Sequence, residues 1–171
     1  MRKVILLLGA ALFLVNGAVN SYAAELKVGV ADVVRVFDSY DKTKDFNKSF
    51  EVKMAKEQDK LKAKKKELET IKSRLSLLKE EEREKEQDKF FKAQMEYGQL
   101  ERKAVSGLKK ERQEKVKEII ADIDKAVKEY AEKKKYDLII NGSAVIYAGK
   151  SVNITQEVLN MVNNRYKKEK K

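Results

Sequence analysis

Leu26, Val28 and Val30 alternate with Lys27 and Gly29, the period-two pattern of a half-buried strand. Val33, Val34, Val36 and Phe37 then crowd together without alternation, which predicts a short helix or turn packed on that strand. Ser39-Tyr40-Asp41 offers capping chemistry for a helix starting there. From Asp41 to Lys135 there is no proline and there are only two glycines, Gly98 and Gly107. This stretch is dense in Lys, Glu, Arg, Gln and Leu. Such side chains lose little rotamer freedom in a helix, and nothing interrupts the hydrogen-bond ladder, so the stretch predicts long helix.

Phe50, Met54, Leu61, Leu68, Ile71, Leu75 and Leu78 fall on one heptad seam, with Glu57 and Lys64 at two spoiled positions. The second half places Phe91, Met95, Val116, Ile120, Ile123, Val127 and Tyr130 on a similar seam, interrupted by the wholly polar run Lys109 to Lys115. A single unbroken helix would reach ~140 Å at about 1.5 Å per residue, whereas a hairpin lets each half bury the seam of the other. A fold-back near residue 84 sets Lys109–Lys115 opposite Met54–Lys60, so the two weak stretches share one hydrated zone. The expected tip is then Lys79 to Lys89, almost wholly charged, with arms of about 60 Å.

Beyond the rod, Asn141-Gly142 separates Tyr136–Ile140 from Ser143–Tyr147. Asn-Gly between two β-branched runs predicts a two-residue hairpin with a type I′ turn. Thr155 is placed to cap a final helix that carries Val158, Met161 and Val162 on one face. The fold class that results is α+β and mostly helical: a small β-sheet body built from both chain ends, with a long helical hairpin protruding between them. The expected units are a body over residues 24–40 and 136–171 and a coiled-coil arm over 41–135. Pairing of the first strand with the C-terminal hairpin brings the two ends of the rod together, a second reason to prefer a hairpin.

Residues 1–23 carry a different signal. Arg2 and Lys3 precede an apolar run from Val4 to Val15, and Ser21-Tyr22-Ala23 is a small-x-small cleavage site. This is the layout of a secretory signal peptide cut near Ala23, and the apolar run is shorter than the ~20 residues a membrane span needs. The chain has no cysteine, so the exported product carries no disulfide and offers no thiol to a lipid. Its 39 Lys+Arg against 28 Asp+Glu give +11, an excess that favours acidic proteins or anionic lipid; export disfavours nucleic acid. Without His or Cys, without a Gly-rich phosphate loop and without metal-ligand spacing, the sequence reads as a non-enzyme that needs no cofactor or metal.

Lys27-Val28-Gly29-Val30, Arg35-Val36-Phe37-Asp38-Ser39-Tyr40, Tyr136-Asp137-Leu138-Ile139-Ile140, Ala144-Val145-Ile146-Tyr147 and Asn153-Ile154-Thr155 together resemble the Skp/OmpH family of periplasmic outer-membrane-protein chaperones. The resemblance spans the chain after its leader, although the Glu-rich tip departs from the basic arm end that lipopolysaccharide would favour. It implies a homotrimeric, ATP-independent holdase whose arms enclose unfolded outer-membrane proteins, with anionic lipid as a peripheral contact. Lys62, Lys64, Lys65, Lys66, Phe90, Phe91 and Met95 are then the candidate client-binding residues. Phe90 and Phe91 lie about 100° apart on a helix and cannot both face a narrow seam, and Phe90 is expected to be the free one. Val28, Val30, Ile139, Val145 and Tyr147 are the candidate oligomerisation residues. A structural coiled-coil adaptor of the cell envelope is the alternative that the rod and leader also allow.

Overall fold

The computed structural model describes residues 26–171; the expected leader and cleavage site lie outside them. β1 (Val28–Ala31) leads into α1 (Val33–Ser39), α2 (Asp41–Leu75) and α3 (Glu80–Lys134), then β2 (Leu138–Asn141), a 3-10 turn (Gly142–Ala144) and α4 (Thr155–Glu169). The body-and-hairpin architecture expected from the pattern is present.

β1 and β2 pair in parallel, from Val28 opposite Leu138 to Ala31 opposite Asn141. The whole hairpin is therefore the crossover between two neighbouring strands, which holds the feet of the arm together. On its other edge β1 is bonded by the segment before α4: Val30 N–H donates to the Val152 carbonyl at 2.7 Å, and Ile154 N–H to the Val30 carbonyl at 2.9 Å. β1 is thus central and buried from Gly29 onward rather than half-buried, and Leu26 is exposed. A Cβ on Gly29 would sit 3.1 Å from the Tyr136 ring, so a side chain there would have to displace an aromatic.

The type I′ hairpin does not form. Asn141 keeps extended backbone (φ −67°, ψ 131°) and its side chain accepts from the Ser143 N–H, turning the chain into the 3-10 turn. Gly142 then packs on Asp32, where a Cβ would lie 3.1 Å from the Asp32 Cα. Val145–Tyr147 forms no strand among the described residues, and Ile146 and Tyr147 are exposed. β2 draws its partner from the far end of the sequence, so local turn propensity loses to the tertiary pairing.

The core lies where the arm meets the body. Val36, Tyr40, Ile119, Ile123, Ala126, Val158 and Val162 are almost completely buried there, on the inward faces of α1, α3 and α4. Thr155 is not the cap of α4 but its first residue. Asn153 accepts the Thr155 N–H through its side chain, while the Thr155 hydroxyl accepts the Asp32 N–H. At the other end of the body α3 closes on Lys135 in the left-handed region (φ 56°), and the Tyr136 N–H returns to the Ala131 carbonyl, a helix stop that glycine usually supplies.

The arm turns at 76–79, several residues before the fold-back expected near residue 84. The Glu-rich run is the first part of α3: Lys79 precedes the helix and Glu80, Glu81 and Glu82 fill its first turn, where carboxylates favourably oppose the helix dipole. α2 has 35 residues and α3 has 55, so they run about 52 and 82 Å. The arms are unequal because the last turns of α3 continue past the foot of α2 to pack in the body core.

Candidate functional site

The arm is anchored through a charged knot at its foot. Lys42 Nζ lies 2.6 Å from Glu118 and 2.7 Å from Asp122, and the Tyr40 hydroxyl donates to Asp122 at 3.4 Å. Burial alone would lower the Lys42 pKa, but its bonds to Asp122 and Glu118 outweigh that and hold it above the ordinary lysine value. Burial, with the Asp122 charge added, pushes the Tyr40 hydroxyl up to about 12. α4 straps both arm helices. Lys170 pairs with Asp45, the Tyr166 hydroxyl donates to Asp45 at 3.1 Å, the Asp41 N–H donates to Asn163 at 2.9 Å, and Arg165 bonds Glu129 at 2.5 Å. The Lys170 and Tyr166 bonds hold the Asp45 carboxyl below the usual range.

Above the foot, Glu57, Leu61, Lys64, Leu68, Ile71 and Leu75 of α2, with Leu78 in the turn beyond it, are half-buried positions in alternating steps of four and three. The first seam thus holds in this part, with its two charged members inside it. Lys64 Nζ is 2.9 Å from Glu67 and 3.2 Å from Glu96 across the seam, and these bonds raise its pKa. Opposite run Glu86, Phe90, Ala93, Tyr97, Leu100 and Ala104. Hence the expected second seam is corrected at its start: Phe91 and Met95 are outside it, 53% and 65% exposed. The error lies in register, since Ala93 and Ala104 carry little hydrophobic signal yet are the small residues that let the helices approach. Nearer the foot Ile123 is buried as expected, but the fully buried Ile119 and Ala126 were absent from that seam.

Phe90 is half-buried, edge-on to Phe91, and lines a groove of about 300 Å³ with Lys65, Leu68, Lys72 and Tyr97. The expectation that Phe90 is the free aromatic is therefore reversed: Phe91 is. At about 100° per residue, Phe91, Met95 and Val105 fall within an arc of about 80° on α3, all more than half exposed. They form an apolar stripe directed away from α2. Val105 was missed, although the same angular sum applied to the sequence would have placed it. Lys62, Lys65 and Lys66 are exposed on α2, so of the four candidate lysines only Lys64 is engaged in the seam.

In the body, Val30 belongs to the buried core, Val28, Ile139 and Val145 are half-buried, and Tyr147 is exposed. Among the described residues β2 is bonded along one edge only. Leu26, Leu138, Ile146 and Tyr147 are large apolar side chains left exposed in this part of the molecule. No group of three or more His, Cys, Asp or Glu among the described residues is arranged to hold a metal.

The family profile described as "Outer membrane protein (OmpH-like)" matches residues 27–162, from the first residues of the body, through the entire hairpin, into α4. The chain belongs to the OmpH-like family. A solved structure of a candidate OmpH-like outer membrane chaperone from Caulobacter crescentus superposes with a TM-score of 0.75, covering 83% of this chain and 86% of that one at 12% identity. At that identity the likeness shows the fold. Comparison of the sequence with curated proteins returns no match. Membership in the OmpH-like family accounts for the split body and the inserted hairpin together.

Proposed function

We propose that this OmpH-like chain is an exported periplasmic holdase that binds unfolded outer-membrane proteins without ATP and keeps them from aggregating. The observation that carries the reading is the stripe of Phe91, Met95 and Val105 on one face of a mostly charged arm. Apolar side chains standing singly at the surface are ordinary, but several on one face of a protruding helix need a partner. Lys62, Lys65 and Lys66 on the companion helix add long-range attraction. Many weak, exchangeable contacts of this kind suit clients that share no sequence. Anionic lipid is a peripheral contact for the same lysines.

The working unit is a homotrimer assembled through the body. The open edge of β2 and the exposed Leu138, Ile146 and Tyr147 support that assembly, since an unpaired strand edge beside apolar side chains is a template for another chain. Family membership supports the client class and the compartment.

The test is dilution of a urea-unfolded outer-membrane barrel protein into buffer containing the chain but no nucleotide, followed by light scattering. Suppressed scattering is expected, with Phe91→Ser/Met95→Ser weakening it. Scattering as fast as without the chain would favour a structural role for the coiled coil in the envelope.

A further inference from the structure

Near the foot of the arm the seam loosens, through a gap on α2 and a change of phase on α3. On α2 the inward positions Thr43, Phe50 and Glu57 keep the seven-residue spacing, but Phe46 stands one residue out of register with Leu61 and Leu68, and Met54, between Phe50 and Glu57, is 44% exposed. On α3 the inward positions Leu100, Ala104, Leu108, Glu111, Lys115 and Ile119 include two successive steps of four at each end. Insertions of this kind locally unwind a coiled coil. Here they leave a groove of about 850 Å³, whose floor is Phe50, Met54, Leu108 and Val116. That volume lies within the range of small-molecule sites, roughly 300–1,000 Å³.

The rim is cationic. Lys109, Lys110, Arg112 and Lys117 line it against a single carboxylate, Glu114, which lies 3.9 Å from Lys110. Among the described residues no ion pair engages Lys109, Arg112 or Lys117, and all three are exposed. Leu108 to Lys117 spans about 14 Å of α3, room for one chain laid lengthwise. Both walls are helices whose backbone groups are already bonded within the helix. An extended peptide laid in the groove would find few partners for its own N–H groups. An acyl chain has none to satisfy.

We propose that this groove binds a single long-chain fatty carboxylate, its chain on the Phe50–Met54–Leu108–Val116 floor and its carboxylate at the cationic rim, where Arg112 and Lys117 flank the groove from different sides of α3. This site is separate from the Phe91 stripe and does not depend on the holdase reading.

The test is isothermal titration of sodium laurate, below its critical micelle concentration, into the exported protein and into Arg112→Glu/Lys117→Glu, with helicity checked by circular dichroism. The neutral amphiphile dodecyl maltoside and an acidic peptide are titrated in parallel. One saturable laurate site per chain is expected, weakened roughly tenfold or more by the double reversal, with dodecyl maltoside at least comparably weaker. Absence of saturation, equal affinity in a folded double variant, or equal binding of dodecyl maltoside would overturn the proposal. Saturation by the peptide but not by laurate would overturn it too, and assign the groove to polypeptide.

Discussion

The Thr155 hydroxyl accepts the Asp32 N–H at 2.9 Å, tying residues 123 positions apart. Asp32 in turn caps α1, its side chain accepting the Arg35 N–H at 2.9 Å. One short chain of bonds therefore joins the end of β1, the start of α1 and the start of α4, around the Gly142 contact that closes the body. Thr155 is buried, so Thr155→Val would keep its shape while stranding the Asp32 donor. The expected cost is about 1–3 kcal/mol, read as a lower urea midpoint with unchanged slope.

Ile119 and Ile123 are fully buried at the foot of the arm, beside Val36 and Val158. Ile123→Ala removes side-chain volume from the core that arm, α1 and α4 share. A loss of about 2–5 kcal/mol is expected. Leu77→Ala at the exposed tip should by contrast stay within about 0.5 kcal/mol. Thermal melts of the two variants measure the difference.

The α4 strap and the charged knot beside it together make stability depend on pH, with a sign that follows from the direction of their pKa shifts. Asp45 and Glu118 have depressed pKa values, through bonds to Lys170 and Tyr166 and to Lys115 and Lys42 respectively. Their contribution is present above the ordinary carboxylate range and is lost as pH falls through their folded values. Lys42 is raised, so its contribution is present below the ordinary lysine value and is lost only in strong alkali. The melting temperature should therefore fall on acidification from neutral pH, and less steeply for Asp45→Asn. Parallel pH profiles for the two proteins would mean that Asp45 carries none of this dependence.

Phe90 and Phe91 are neighbours with opposite expected phenotypes. Phe90→Ala opens the seam beside Leu68 and Tyr97 and should lower arm stability by about 1–3 kcal/mol, less than a fully buried aromatic would cost. Phe91→Ser should leave stability nearly unchanged and weaken client capture. Hydrogen exchange across Leu61–Ala104 reports the first effect, and light scattering with an unfolded barrel protein the second.

The fold was legible where the signal was dense. Leu61, Leu68, Ile71, Leu75 and Leu78 sit in the seam as their spacing predicts, and the unbroken run without proline is helix apart from its turn at 76–79. The register of α3 was not legible because its small inward residues, Ala93 and Ala104, are silent to a hydrophobic pattern while the bulky Phe91 and Met95 dominate it. Asn141-Gly142 misled for another reason: its strand pairs in parallel with residues before the arm, a partner that no local turn rule can see. The apolar stripe was half legible, through Phe91 and Met95. The groove was foreshadowed by the polar run Lys109–Lys115, but its position opposite Phe50–Met54 depends on where the arm turns.

Native mass spectrometry of the chain from residue 24 onward, mixed with one unfolded outer-membrane barrel protein in the absence of nucleotide, tests the holdase reading most directly. A dominant species of three chains and one client is expected, reduced by Phe91→Ser/Met95→Ser while the three-chain species persists. A chain that stays free of client at concentrations where the client aggregates would contradict it.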